Sequence, residues 1–132
     1  MPKRMIDTDI WLDSKIVDKF TMQDIYTWLY LLTSPHSSLC GVIKCSITIL
    51  SFETKMEKEE LQKSLYRLQD KIGIIKYNPI EDEILILNWY KHNWTKSSKL
   101  LDNIENSIKT IKTKEFLDYV RKILERYRTV QS

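Results

Sequence analysis

The hydrophobic period of this chain changes at Gly73, and the change limits the folds that the chain can adopt. Before it, apolar residues recur at the spacing of one helix face, namely Leu61, Leu65, Leu68 and Ile72. After it, the apolar runs at 74–77 and 84–87 have the period of strands and flank the turn-forming segment 78–83. The pattern predicts a helix over 57–72, ended by Gly73 in a left-handed conformation, and then a β-hairpin.

The residues before this helix predict another helix, which begins at a capping box. Thr21 and Asp24 have the required spacing, with aspartate in place of the more usual glutamate. One apolar stripe follows, formed by Ile25, Trp28, Leu29 and Leu32. Because proline disfavours helix in the residue before it, this helix is expected to end near Ser34, which precedes Pro35.

A short strand and a second short helix are predicted next. Residues 41–44 place two β-branched residues after a glycine, and Ser46 is suited to cap a helix over 47–52. The order is then helix, short strand, helix, helix, strand, hairpin loop, strand. It predicts a mainly α fold with a small β-sheet (α+β), a winged helix-turn-helix whose hairpin is the wing, followed by two C-terminal helices.

The two C-terminal helices are predicted from two further apolar stripes. The stripes are Leu100, Leu101, Ile104, Ile108 and Ile111, and then Phe116, Val120, Ile123, Leu124 and Tyr127. The polar run 95–98 is expected to separate a winged-helix domain, residues 1–95, from a helical extension, residues 96–132. Residues 95–132 hold 9 Lys and Arg against 5 Asp and Glu, so the extension is basic.

The first of these stripes also predicts how the extension is used. An appended helix must bury such a stripe, so the sequence predicts oligomerisation through Leu101, Ile104, Ile108 and Ile111. The alternative role for the extension is a linker to a further C-terminal domain.

Composition and spacing exclude several functional classes. A hydrophobic content of 42% with 30% charged residues is that of one globular domain. Gly41 and Gly73 are isolated, which excludes a glycine-rich phosphate loop, and no nucleophile motif is present, so neither an enzyme nor a cofactor is predicted. Four possible ligands lack any standard zinc spacing, so no metal site is predicted; they are His36, Cys40, Cys45 and His92.

Localisation is predicted from the same composition. No segment approaches the roughly 18 to 20 apolar residues needed to span a bilayer. The start, MPKRMIDTDIW, is basic but lacks the apolar run of a signal peptide. We therefore expect a cytoplasmic protein without a membrane partner, in which the two cysteines act as small, half-buried apolar residues flanking a strand.

The predicted helix over 57–72 supplies the candidate DNA-binding surface, because the second helix of a helix-turn-helix enters the major groove. Side chains opposite its leucines can donate hydrogen bonds to phosphates or base edges, and lysines lie at its approach, on the hairpin and after it. The predicted DNA-binding residues are Lys55, Lys58, Gln62, Lys63, Tyr66, Arg67, Lys76, Lys91, Lys96 and Lys99.

An ordinary solvated helix is the competing interpretation of this surface. Residues 57–71 carry four cations and four anions, which can form pairs such as Glu59 with Lys63. The hairpin loop carries Glu81, Asp82 and Glu83, expected at its tip, where they would repel phosphates. DNA contact led by the wing is therefore not expected.

The segment NWYKHNW, which follows the last strand, has open interpretations. Continued strand alternation would place Trp89 beside Leu87 and seal the core beneath the extension. Lys91, His92 and Trp94 are expected at the surface, where Trp94 either anchors the extension or stacks on a base.

Several stretches resemble the N-terminal domain of phage replisome organisers, replication-initiation proteins related in architecture to DnaD-type primosomal proteins. They are IDTDIWLDSKI, LLTSPHSSLCGVIKCSI, EELQKSLYRLQDKIGIIKY and NWYKHNW, within residues 5–99. The resemblance implies a DNA-binding, self-associating module. Such a module would recognise double-stranded origin DNA and help to recruit the replicative helicase through its loader. Members of this family usually continue into a further C-terminal domain.

Two other functions remain open. One is an interaction module of the primosome that oligomerises or docks on helicase-loading machinery without touching DNA. The other is a winged-helix transcription repressor. An enzyme is the least expected class.

Overall fold

The computed structural model describes residues 3–131, apart from the side chains of Lys15, Val17, Val130 and Gln131. Residues 1, 2 and 132, which belong to the predicted domain ranges, lie outside it. The described chain is mostly helical with one three-stranded antiparallel sheet, so the predicted α+β class is confirmed. None of its described helices is long and apolar enough to cross a bilayer.

The helices of the described chain are a 3₁₀ turn (Thr8–Leu12), α1 (Ser14–Lys19), α2 (Met22–Thr33), α3 (Ile47–Thr54), α4 (Lys58–Arg67), α5 (Trp89–Asn93), α6 (Ser98–Ile108) and α7 (Lys114–Gln131). A π-helical turn, Leu68–Ile72, extends α4. The strands are β1 (Val42–Lys44), β2 (Ile75–Asn78) and β3 (Glu83–Ile86), in the spatial order β1-β3-β2.

The helix and hairpin predicted around Gly73 are confirmed. The leucine face of α4 and its π-helical turn is buried, and Gly73 follows it in a left-handed conformation with φ 76°. The hairpin pairs Ile75 with Ile86 and Asn78 with Glu83. The strands start and end about one residue away from the predicted bounds, which is the usual uncertainty at strand ends. All four residues of the central strand β3 are buried.

The capping box of α2 is also confirmed, but its predicted core face is not. The residues of α2 that are buried are Asp24, Thr27 and Leu31, and α2 packs on α4. The predicted stripe of Ile25, Trp28, Leu29 and Leu32 is only half-buried. The difference arises because a polar contact between Asp24 of α2 and Arg67 of α4 takes the most enclosed position, while Trp28 and Leu32 lie beside the N-terminal segment.

Trp89 is buried as predicted, but it does not continue the strand. Asn88 adopts a left-handed conformation with φ 63°, which ends strand geometry, and Trp89 begins the short helix α5. Gly41 lies against it: a Cβ at Gly41, where φ is 79°, would stand 2.6 Å from Cβ of Trp89. The indole therefore packs where only glycine leaves room.

The two C-terminal helices share one core with the rest of the chain. Leu101, Ile104, Ile108 and Ile111 are each no more than 7% exposed and belong to the same buried cluster as β3 and α4. Their stripe therefore does not present the oligomerisation surface that the sequence predicted, because α6 packs on α7 and the stripe is part of the core of the chain. The predicted boundary near residue 95 falls between α5 and α6, with buried contacts on both sides.

Glu83 connects the sheet to these helices. Its carboxylate is buried and accepts hydrogen bonds from the backbone N–H of Lys112 (2.9 Å) and of Thr113 (2.7 Å), just before α7. The Thr113 hydroxyl donates to the same carboxylate, and Asn78 donates to that hydroxyl. An anion at this position satisfies free N–H groups and the positive end of the α7 dipole. The prediction that Glu83 lies at the acidic hairpin tip is therefore wrong.

We predict that Gly41→Ala destabilises the protein more than Gly73→Ala. Both residues have positive φ, which costs about 1 kcal/mol for alanine, but a Cβ at Gly73 has no neighbour within 4 Å. Crowding against Trp89 should add about 2 kcal/mol at Gly41. Urea unfolding of the two variants measures the difference, and equal losses would contradict the packing described here.

We predict that Glu83→Gln lowers the unfolding free energy by about 2 kcal/mol, because the amide presents N–H groups to N–H donors and removes a buried charge interaction. The matched control is Glu81→Gln, at an exposed position of the hairpin loop, which should change stability by less than about 0.5 kcal/mol. A Glu83→Gln protein as stable as its control would show that this carboxylate does not hold α7.

Candidate nucleic-acid interface

The turn between α3 and α4 places two lysines at the start of α4. Lys55 ends α3 in a left-handed conformation with φ 65°, and the Ser51 hydroxyl donates to the carbonyl of Met56 across the turn. Ser46 caps the other end of α3 by accepting from the N–H of Ile49, as predicted. Lys55 and Lys58 are both exposed where the turn enters α4.

Lys63 and Tyr66 lie on the outer side of α4. Together with Lys55 and Lys58 they form the surface that we call the α4 outer face. The side chain of Lys63 is 64% exposed, and Tyr66 is 41% exposed, whereas Leu61 and Leu65 on the other side are buried. Lys63 Nζ lies 3.6 Å from a carboxylate oxygen of Glu60, an exposed pair that holds the lysine only weakly. These cations are therefore available to an anionic ligand.

Arg67 differs from its neighbours because its guanidinium is used inside the protein. Its Nη2 lies 2.9 Å from Asp24 Oδ1, and its Nε donates to both oxygens of that carboxylate. The Ser64 hydroxyl also donates to Asp24, at 2.7 Å. Arg67 thus joins α4 to α2. The prediction that Arg67 is a free DNA-binding cation is therefore wrong.

The carboxylate of Asp24 is therefore the centre of a buried polar cluster. Burial acts to raise its pKa, but hydrogen bonds from Arg67, Ser64 and Thr21 outweigh burial and hold the pKa below the ordinary 3.8. The backbone N–H of Thr21 supplies the capping-box bond, at 3.2 Å. The same aspartate caps α2 and neutralises an arginine of α4, which ties the two helices together.

Gln62 and Tyr66 connect α4 to the hairpin. The ring of Tyr66 stands 5.6 Å from the ring of Tyr77 on β2, and Gln62 acts to lower the pKa of the Tyr77 hydroxyl. Burial raises the pKa of Tyr77. Gln62 is half-buried on this side of α4.

The remaining predicted DNA-binding residues are exposed but lie elsewhere. Because successive residues of a strand point to opposite faces, Lys76 points away from the side on which Tyr77 meets α4. Lys76 Nζ lies 3.8 Å from Glu115 of α7. Lys91, Lys96 and Lys99 follow β3 at the end remote from the hairpin loop. The structure does not bring these four lysines together with the α4 outer face.

Trp94 was expected at the surface, and the structure places it in the core. It is 8% exposed, and its indole N–H donates to the carbonyl of Leu39 at 2.7 Å. Its ring meets the edge of Tyr127 at 5.5 Å. Of the two predicted roles, anchoring the C-terminal helices is the one that this packing supports, while Lys91 and His92 are exposed as expected.

One exposed residue near the interface was missed in the sequence. Phe52 is 74% exposed on α3, and Lys55 Nζ lies 4.5 Å from the centre of its ring. The run ITILSF has no helical period, so no pattern indicated which of its apolar residues would face solvent. Phe52 shields one side of Lys55 and orients its ammonium group.

Comparisons with known proteins and the search for metal ligands add no further residue. The chain matches no protein-family model, no curated protein and no solved structure. Among the described residues, no group of three or more His, Cys, Asp and Glu side chains is placed to hold a metal ion. Cys40 and Cys45 are free thiols, and burial raises the pKa of both.

We predict that Asp24→Asn lowers the unfolding free energy by about 3 kcal/mol at pH 7, because it leaves Arg67 without its anion. The pKa of Asp24 is lowered in the folded state, so its contribution is complete above pH 3.8 and is lost as the pH falls through the folded value. The stability difference from the unaltered protein should therefore shrink as the pH falls progressively below 3.8.

Urea unfolding at a series of pH values measures this difference. Asp18→Asn, at an exposed position of α1, is the control and should change stability by less than about 0.5 kcal/mol. A deficit for Asp24→Asn that stays constant from neutral to acid pH would contradict the role given to the carboxylate.

Proposed function

We propose that the chain is a winged helix-turn-helix module that binds duplex DNA through the α4 outer face. The supporting architecture is the order α2, β1, α3, α4, β2, β3, in which α3 and α4 flank a tight turn and β2 and β3 form a hairpin. In modules of this kind the second helix of the pair lies in the major groove.

The observation that carries the proposal is the separation of α4 into two faces. Leu61 and Leu65 are fully buried, while Lys63 and Tyr66 are exposed on the other side of the same helix. Lysines at such positions contact phosphates, and a tyrosine hydroxyl can bond phosphate or a base edge. Both side chains are exposed to solvent and are not covered by other helices of the described chain.

The charges around this face indicate modest affinity for a single copy. Glu59 and Glu60 lie on the first turn of α4, and Glu81 and Asp82 are exposed on the hairpin loop. These carboxylates oppose phosphates, so binding should depend on a few lysines and fall steeply with salt. Assembly of several copies on one DNA site would add affinity through effective concentration.

The biological setting of the proposal is replication initiation in the cytoplasm, which is supported by the resemblance to phage replisome organisers. In that setting the partners are double-stranded origin DNA and the replicative helicase or its loader. The alternative of a module that only assembles with other proteins loses its sequence support, since the stripe at Leu101, Ile104, Ile108 and Ile111 is buried within the chain.

We predict that Lys55→Ala combined with Lys63→Ala reduces DNA binding and its salt dependence. Each lost phosphate contact should reduce the slope of log affinity against log salt by about 0.9, hence by about 1.8 for both. The measurement is fluorescence anisotropy with a labelled duplex of about thirty base pairs, in a salt series that begins at low ionic strength.

The control for this experiment is Lys122→Ala combined with Arg126→Ala, which removes two exposed cations outside the α4 outer face. The control should keep most of the slope, and both double variants have the same net charge. If the two double variants lose binding equally, general charge and not the α4 outer face holds the duplex. If the unaltered protein does not bind at low salt, the proposal fails.

A further inference from the structure

A groove of about 390 Å³ lies on a different part of the protein from the α4 outer face. The segment 4–13 forms one wall, and the floor includes Trp28 and Leu32 of α2, Leu87 and Trp89. We call it the N-terminal groove. A volume of this size and an apolar floor are typical of sites that accept ligand side chains.

The wall of the groove is tied to the body of the protein. Arg4 Nη2 donates to the Ser37 hydroxyl at 3.2 Å, and the guanidinium lies 5.6 Å from the Trp89 ring centre. Asp7 Oδ1 accepts from the N–H of Asp9 at 2.9 Å and so begins the 3₁₀ turn. After the turn, Ile16 of α1 is buried. The wall is therefore held in place near both of its ends.

Apolar surface continues from the groove onto the wall itself. Met5, which lines the groove, is 97% exposed, and the nearby Trp11 and Leu12 are 54% and 79% exposed. Large apolar side chains left in water next to a concave apolar floor mark a surface for contact with another molecule. Their exposure distinguishes this region from the enclosed core under α4.

The charged residues around the groove indicate which kind of molecule would bind in it. Asp7, Asp9 and Asp13 line it together with Arg4, whose Nη2 donates to Ser37 and whose guanidinium stays positively charged beside Trp89. Asp7 and Asp9 are exposed carboxylates on this rim, and they attract lysine and arginine.

We propose that the N-terminal groove docks a segment of a partner protein that carries apolar side chains flanked by lysine or arginine. The apolar side chains lie on Trp28, Leu32 and Trp89, and the cations meet Asp7 and Asp9 at the rim. This proposal is independent of DNA binding, because no residue of the α4 outer face lines the groove.

The test uses a fluorescein-labelled synthetic peptide of leucine and lysine with a helical apolar period, and measures anisotropy. A second peptide has serine in place of each leucine, and a third has glutamate in place of each lysine. The first peptide should bind saturably, and the other two at least about tenfold more weakly, because both the floor and the rim contribute. Equal binding of the leucine and serine peptides, or no binding of the first, would overturn the proposal.

Variants locate the site. Asp7→Asn combined with Asp9→Asn keeps an oxygen for the turn and should weaken the peptide about fivefold. The matched control, Glu81→Gln combined with Asp82→Asn, removes two negative charges from the exposed hairpin loop and should change binding less than about twofold. Met5→Ser, at a fully exposed position, should also weaken binding. Equal effects of the two double variants would contradict the assignment.

Nuclear magnetic resonance and sedimentation complete the test. On peptide addition, the indole N–H signals of Trp28 and Trp89 should shift, while that of Trp94, bonded to Leu39, should not. A shift confined to Trp94 would overturn the proposal. Sedimentation without peptide tests whether a second copy of the chain occupies the groove. If the protein self-associates and Met5→Ser abolishes the self-association, the occupant is another copy of this chain and the proposal of a different partner is overturned.

Discussion

Burial of the leucine stripe on α4 sets the orientation on which the other features depend. Leu61, Leu65 and Leu68 are at most 1% exposed, and each such side chain contributes about 2 kcal/mol when it leaves water. A helix held by three of these side chains cannot rotate without exposing them. The buried pair of Asp24 with Arg67 adds a directional contact that fixes the same rotation. Lys63 and Tyr66 must then face outward.

The C-terminal helices pack against the rest of the domain and stabilise the sheet. Glu83 belongs to the central strand and accepts the N–H groups just before α7, so the hairpin and α7 are joined by a buried carboxylate. Trp94, at the end of α5, packs edge to face with Tyr127 of α7. The result is one core in which the extension serves as part of the module and does not stand apart from it.

Helix α2 separates the two surfaces for which we propose functions. Thr27 and Leu31 point into the protein on the side that packs against α4, whereas Trp28 and Leu32, one position further along, line the N-terminal groove. Consecutive residues are about 100° apart around a helix. The α4 outer face and the N-terminal groove therefore lie on different sides of the same short scaffold.

The sequence predicted those elements whose local pattern agrees with their burial. The leucines of α4, the Thr21–Asp24 capping box and the hairpin after Gly73 were all visible, because spacing and turn residues determine them. Asp24 as the partner of Arg67 was not visible, since the two lie 43 positions apart and no local pattern links them. The same limit applies to Glu83, whose burial depends on a loop about thirty residues later. Two predictions were wrong for the same reason, namely that long-range contacts bury or pair the residues. One placed Arg67 on the DNA-binding surface, and the other left the apolar stripe that begins at Leu101 free for oligomerisation.

The most direct test of the central claim is a titration of ¹⁵N-labelled protein with duplex DNA at low salt, followed by amide chemical shifts. We predict shifts at Lys55, Lys58, Lys63 and Tyr66, with α6 and the N-terminal groove unaffected. Shifts confined to α6 and α7, with the amides of α4 unchanged, would contradict it.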